Sequence, residues 1–177
     1  MANGTLKVSN IQTSSGSGTI TLGQSGETVT VASGVTQTVA VNTPAFLAKP
    51  AVAATISDNT LTKVSFTEVL DTASGYDGSR FTPGVAGYYQ VNALAEVSDG
   101  SNGYGARIII YKNGSADNSI ENELDGNAFL ARGRMAASGV IYLDADDYIE
   151  VYVSFNTVSG DAALGTEGQF SAYKIIQ

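Results

Sequence analysis

A chain of 177 residues with 43% hydrophobic and 15% charged side chains is long enough for one ordinary domain and a small appendage. It contains no cysteine and no histidine. This excludes thiolate and imidazole metal sites, a Ser/His/Asp triad and a Cys/His dyad, and with them most hydrolase and redox chemistry. Its 9 Lys+Arg against 17 Asp+Glu give a net charge of −8, with the cations scattered from Lys7 to Lys174. No nucleic-acid partner is expected, because phosphate-backbone binding rests on clustered cations.

The opening MANGTLKVSN lacks a charged region followed by an apolar one, and the uncharged span Thr28 to Ala48 is interrupted by Thr, Ser, Gln and Asn. Neither a signal peptide nor a membrane span is expected. Residues 1–43 carry only Lys7 and Glu27 as charges and no aromatic residue, too little bulk for a core of their own. A short pattern returns within them: Thr5-Leu6-Lys7-Val8, Thr19-Ile20-Thr21-Leu22, Thr28-Val29-Thr30-Val31 and Thr38-Val39-Ala40-Val41. The last three copies recur with a period of about ten residues and are separated by Gly/Ser turns, which predicts short strands rather than a plain linker. A four-residue strand buries one narrow face, so these strands need cover, either from the globular part or from identical segments of other chains. The segment reads as an attachment stalk.

From residue 44 onward the chain reads as strands. Candidates are Ala45–Ala48, Leu61–Thr67, Gly87–Ala95, Ala106–Tyr111, Asn127–Ala137, Gly139–Leu143, Tyr148–Phe155 and Gly168–Ile176. Alternation is clearest from Ile149 to Phe155, whose odd positions would face a core. Turn chemistry separates the strands at Asp99-Gly100, Asn113-Gly114, Asp125-Gly126 and Ser159-Gly160. No long stretch keeps a capped 3.6-residue apolar period, so the class is all-β, with a sandwich or jelly roll over residues 44–177. Phe66, Phe81, Tyr89, Phe155 and Phe170 supply the large side chains of its core.

Several ordered motifs lie in this region: Ala45-Phe46; Val64-Ser65-Phe66-Thr67; Gly75-Tyr76-Asp77; Phe81-Thr82-Pro83-Gly84 leading to Gly87-Tyr88-Tyr89; Tyr111-Lys112-Asn113-Gly114; Ser138-Gly139-Val140-Ile141-Tyr142-Leu143 followed by Asp146-Asp147; and Gly168-Gln169-Phe170-Ser171-Ala172-Tyr173. In this order they resemble the globular head of the first complement component, a family related in fold to tumour necrosis factor. The resemblance spans roughly residues 45–176. Asp146 and Ala172 replace glycines of the family pattern. The resemblance implies a jelly-roll head that closes as a homotrimer, which would also let three stalks cover one another's apolar faces. The N-terminal run Met1-Ala2 to Lys7-Val8, with Ser15-Gly16-Ser17-Gly18-Thr19-Ile20-Thr21-Leu22-Gly23-Gln24, resembles the opening of virion structural proteins of tailed bacteriophages, particularly tail-fibre-like ones. It implies a place on the extracellular particle, with residues 1–43 contacting other virion proteins.

Carboxylates are the main candidates for site chemistry: Glu121, Glu123 and Asp125 in one predicted loop, and Asp144, Asp146 and Asp147 in another. Oxygen-only ligands suit calcium rather than zinc or copper, but neither cluster has the spacing of a twelve-residue calcium loop, and no cofactor is expected. Solvated turns are the simpler reading of both. A glycosidase would use two such carboxylates, but with no tryptophan to stack sugar the chain is expected not to be an enzyme. The predicted loops Asp99–Tyr104 and Asn156–Glu167 offer Asp99, Asn102, Tyr104, Asn156, Asp161 and Glu167 for hydrogen bonding to a glycan or protein receptor. The functions these readings support are a non-enzymatic tail-fibre or adhesin module, a capsid decoration protein, or, less readily, a secreted cytokine-like or lectin-like module. Asn3-Gly4-Thr5 and Asn113-Gly114-Ser115 match a glycosylation pattern but read as turns.

Overall fold

Alternating burial along Ile149–Thr157, where Ile149, Val151, Val153 and Phe155 point inward, is what a strand with one face on a core requires. The same alternation recurs through the computed structural model, which describes residues 43–50, 53–98, 103–125 and 132–175, and before them only positions 11, 21, 25–28, 30 and 33. The chain divides into two compact units, Met1–Val39 and Ala40–Gln177. The Thr-rich repeats fall, apart from those few positions, outside the described residues.

Eleven strands are described: β1 (Ala45–Lys49), β2 (Ala54–Ile56), β3 (Thr62–Lys63), β4 (Thr67–Asp71), β5 (Arg80–Phe81), β6 (Gly87–Ser98), β7 (Gly103–Lys112), β8 (Ser115–Asp125), β9 (Arg132–Leu143), β10 (Ile149–Thr157) and β11 (Ala162–Lys174). They form two antiparallel sheets. Sheet A has the order β4-β1-β11-β6-β9 with β2 beside β11, and sheet B the order β3-β10-β7-β8 with β5 beside β10. This is the all-β jelly-roll sandwich expected from the sequence. Chain neighbours such as β6 and β7 lie in different sheets, so the pairings are mostly long-range.

The five aromatic residues predicted for the core are all buried between the sheets. Phe46 joins them, with ring centroids 4.4 Å from Phe81, 5.0 Å from Tyr76 and 4.8 Å from Phe170. Phe170 also meets Phe66 at 5.7 Å, so one aromatic cluster ties β1, β5 and β11 to the Phe66 segment. Each such ring contributes about 1.5–3 kcal/mol by leaving water.

Three expected elements differ. The single strand predicted over Leu61–Thr67 is two: β3 pairs with β10 and β4 with β1. Between them Val64 and Phe66 are both buried as the chain turns the corner from sheet B to sheet A. The two strands predicted over 127–137 and 139–143 are, within the described residues, the one strand β9. Gly139 does not break it; a Cβ there would stand 2.8 Å from Ile120 Cγ1, so the glycine admits a β8 side chain against β9. The Asn113-Gly114 hairpin is as predicted, with φ of 52° and 75°, the left-handed pair of a two-residue β-hairpin turn.

Candidate functional site

Strand direction sorts the connections into two ends. At the proximal end the chain enters at Pro44 and leaves at Ile175: Lys174 N donates to Pro44 O at 3.0 Å and Ile175 N to Tyr88 O at 2.8 Å. At the distal end lie the β2–β3 and β10–β11 connections, the start of β7 and the end of β8.

The second acidic cluster, Asp144, Asp146 and Asp147, occupies the proximal β9–β10 turn, and it is a turn, as predicted. Asp147 is held from three sides. Lys112 Nζ lies 2.7 Å from its Oδ2, Asn113 Nδ2 donates to its Oδ1 at 2.6 Å and Asp144 N donates to Oδ2 at 2.8 Å. Lys112, then Asn113, then the Asp144 amide hold its carboxyl down from the ordinary 3.8 to about 2. Asn113 Oδ1 in turn accepts from Tyr148 N at 2.9 Å. Both polar atoms of this amide are therefore engaged, and the pair of turns is pinned together. Asp147 acts here as a structural carboxylate.

Glu121, Glu123 and Asp125 are not in a loop. They lie on β8 at outward positions opposite Ile109, Arg107 and Gly105 of β7. Arg107 pairs with Glu121, with Nη2 to Oε2 at 2.5 Å and Nε to Oε2 at 3.0 Å. A strand spreads alternate side chains along one face instead of folding them around a point. Among the described residues no three carboxylates gather as metal ligands would. β8 reads as a loop because its only buried side chain is Ile120, and because the pairing shifts register between Ile109 and Ile110.

Of the predicted receptor-loop residues, Asp99 and Asn102 lie outside the described residues. Tyr104 and Asn156 are not in loops but on β7 and β10, and Asp161 is in the β10–β11 connection; all three stand at the distal end, where Asn156 is paired with Gly105, itself paired with Asp125. Glu167 is not in a loop; it lies in the β11 bulge that interrupts pairing with β6 between Leu164 and Gly168. Tyr104 is exposed. Gly105 makes room for Asn156: a Cβ there would lie 2.7 Å from Asn156 Nδ2. Asp58 ties the neighbouring connections, accepting from Thr157 N at 2.8 Å while its own N donates to Asp161 Oδ1 at 3.4 Å. The distal end is thus a set of cross-braced connections presenting Tyr, Asn and carboxylate groups.

The feature that sequence reading misses is the outward face of sheet A. Between Tyr88 and Leu94 on β6, Ala136 and Tyr142 on β9, Gln169 and Tyr173 on β11, and Ala45 and Leu47 on β1, the outward positions carry no charge. Cross-strand register lays them in rows: Tyr88 opposite Tyr142, Val140–Gln90–Tyr173–Ala45, Ser138–Asn92–Ser171–Leu47, and Ala136–Leu94–Gln169. Tyr88 and Tyr142 meet edge to face at 5.2 Å, and both, with Val140 and Tyr173, are exposed. Charged groups stand at the distal margin of the face. Glu96 is buried there, with Arg134 Nε 3.1 Å from its Oε2, and Arg134 reaches Glu167 at 3.7 Å.

The outward face of sheet B is its opposite. It carries Arg107–Glu121 and Lys63–Glu150, the latter at 2.5 Å with the Glu150 side chain buried. Tyr111 and Tyr152 pack at 4.1 Å beside Ile109, which is 0% exposed although its position points outward. This face covers its own apolar residue with its own side chains.

No family model and no curated protein matches the chain. Solved structures do. Murine APRIL aligns over 74% of this chain and 98% of its own with 17% identity and a TM-score of 0.54. Eiger TNF from S. frugiperda aligns over 75% and 92% with 10% identity and a TM-score of 0.55. The globular domain of zebrafish complement 1qA aligns over 76% and 98% with 14% identity and a TM-score of 0.50. At these identities the likeness is one of fold: the chain carries the jelly-roll domain shared by the tumour-necrosis-factor-like and complement-head structures.

Proposed function

We propose that this jelly-roll chain is a non-enzymatic binding module that works as a homotrimer, self-associating through the outward face of sheet A and presenting its distal end to a receptor. The observation that carries the reading is the contrast between its two outward faces. Each copy bears a net charge of −8, so copies repel unless they meet where charge is absent, and the exposed tyrosines and Val140 make sheet A the face with apolar area to bury. The fold shared with complement 1qA and TNF structures agrees with a trimeric binding module. The distal end, remote from the point where the chain enters at Pro44, is the surface that such an assembly leaves free.

The N-terminal resemblance supports a virion surface as the setting, with residues 1–43 as the attachment segment and a cell-surface glycan or protein as the partner. Light scattering on the full-length protein tests the trimer, with an expected mass of about 55 kDa, three times the 18.2 kDa chain. A monomer overturns it. Adsorption of labelled protein to intact host cells tests the receptor role. Failure to bind, together with a gain in particle heat resistance on adding the protein, moves the function to capsid decoration.

A further inference from the structure

The uncharged face of sheet A is not uniformly apolar. Across its middle runs a polar row, Ser138 on β9, Asn92 on β6 and Ser171 on β11, directly opposed in register, with Gln90 beside it. The exposed Tyr88, Tyr142 and Val140 lie on one side, and Leu94 and Ala136 on the other. Three of these polar groups order one another. Ser138 Oγ donates to Asn92 Oδ1 at 2.7 Å, while Gln90 Nε2 donates to Ser138 Oγ at 3.0 Å and lies 3.4 Å from Asn92 Oδ1. That uses the amide oxygen of Asn92 and the amide nitrogen of Gln90. The complementary atoms, Asn92 Nδ2 and Gln90 Oε1, take no protein partner among the described residues. They leave one donor on Asn92 and one acceptor on Gln90 available on the outward side of the sheet.

A neutral apolar face alone lets like-charged copies meet, but it does not say in which register or how many. Buried amides do, because any register that leaves them without hydrogen bonds costs the full desolvation of each group. The geometry points to the Gln90–Ser138–Asn92 cluster as a register key for a second copy of this chain, selecting one closed assembly from the many that the surrounding tyrosines would tolerate. The inference rests on the reading of this face as the self-association surface. It adds that stoichiometry is set by polar groups while apolar contact supplies the affinity.

The test compares full-length wild type with the double variant Gln90→Leu/Asn92→Leu, which keeps side-chain bulk and removes the amides. Light scattering over a hundredfold dilution series reads mass, and circular dichroism reads folding. The expected result is a single trimer for wild type and, for the variant, retained association spread over several stoichiometries. A folded variant that stays a single trimer with an unchanged dissociation midpoint overturns the key. A folded variant that becomes monomeric also overturns it, because the amides would then supply affinity rather than register. If the double variant does not fold, Ser138→Ala decides: it removes the hydroxyl that bonds both amides and adds no bulk. A mixed population supports the key, and an unchanged trimer overturns it. A monomeric wild type instead sinks the self-association reading, so the two failures are distinguishable.

Discussion

The two outward faces of the sandwich are built on the same pleat and reach opposite solutions to exposure. Sheet B holds Lys63–Glu150 and Arg107–Glu121 pairs and closes Tyr111 and Tyr152 beside Ile109. Sheet A leaves tyrosines and valine open and keeps its ions at the margin. A surface that has satisfied its own polar and apolar groups has little to gain from a partner, whereas one that has not gains by burial. On the proposed reading, the contrast in finish, more than in hydrophobicity alone, separates a solvent face from an interface.

The sharpest way to break this comparison is to put charge where there is none. Val140→Asp, on sheet A, is expected to convert the proposed trimer to monomer in light scattering, while Ser154→Asp, on the outward side of sheet B, leaves the mass unchanged. Equal losses from both would erase the distinction between the faces.

Within sheet B, Lys63→Met strands the buried Glu150 carboxylate and is expected to cost about 1–3 kcal/mol in urea unfolding. Lys63→Met/Glu150→Met should cost less than the single change, since both charges leave together. A double variant worse than the single would mean that the pair itself, and not its completeness, stabilises the face.

At the margin of sheet A, Gly165→Ala would bring a Cβ to within 2.3 Å of Glu96 Oε1. Because Glu96 is buried and tied to Arg134, it has little room to yield, and a loss of about 1–2 kcal/mol is expected, with a matching fall in thermal midpoint. Gly133→Ala, where no atom lies within 4 Å, is the control and should be within about 0.5 kcal/mol of wild type.

The smallest effect is pH-dependent. The Asp147 carboxyl is depressed from 3.8 to about 2, so its contribution is complete above pH about 4 and is lost as pH falls through about 2. Asp147→Asn should lower stability by about 1–2 kcal/mol at neutral pH and flatten the acid limb of the curve. An unchanged acid limb would show that the two pinned turns do not depend on this charge.

The core and the class of the fold are legible from residues. Ile149 to Phe155 alternates, Asn113-Gly114 marks the β7–β8 hairpin, and the five aromatic residues predicted for the core are all buried. β8 is not legible, because Ser115–Asp125 is polar on both parities and is a strand only through its pairing with β7. β3 and β4 merge in the sequence because a chain rounding a corner buries Val64 and Phe66 as a strand would. Of the candidate site, loop chemistry points to the distal end through Asp161, whereas Tyr104 and Asn156 reach it from the ends of β7 and β10. The uncharged face cannot. Its members are every second residue of four strands distant in sequence, interleaved with core residues, and only register assembles them into rows.

One further consequence follows from the paired chain ends. Because Pro44 and Lys174 are hydrogen-bonded neighbours, residues 44–175 form a plug whose two leads emerge together, a geometry that suits exchange between carriers. Such a unit can be spliced into a loop of another protein without rerouting a strand. Its fold is in that sense independent of what it is mounted on.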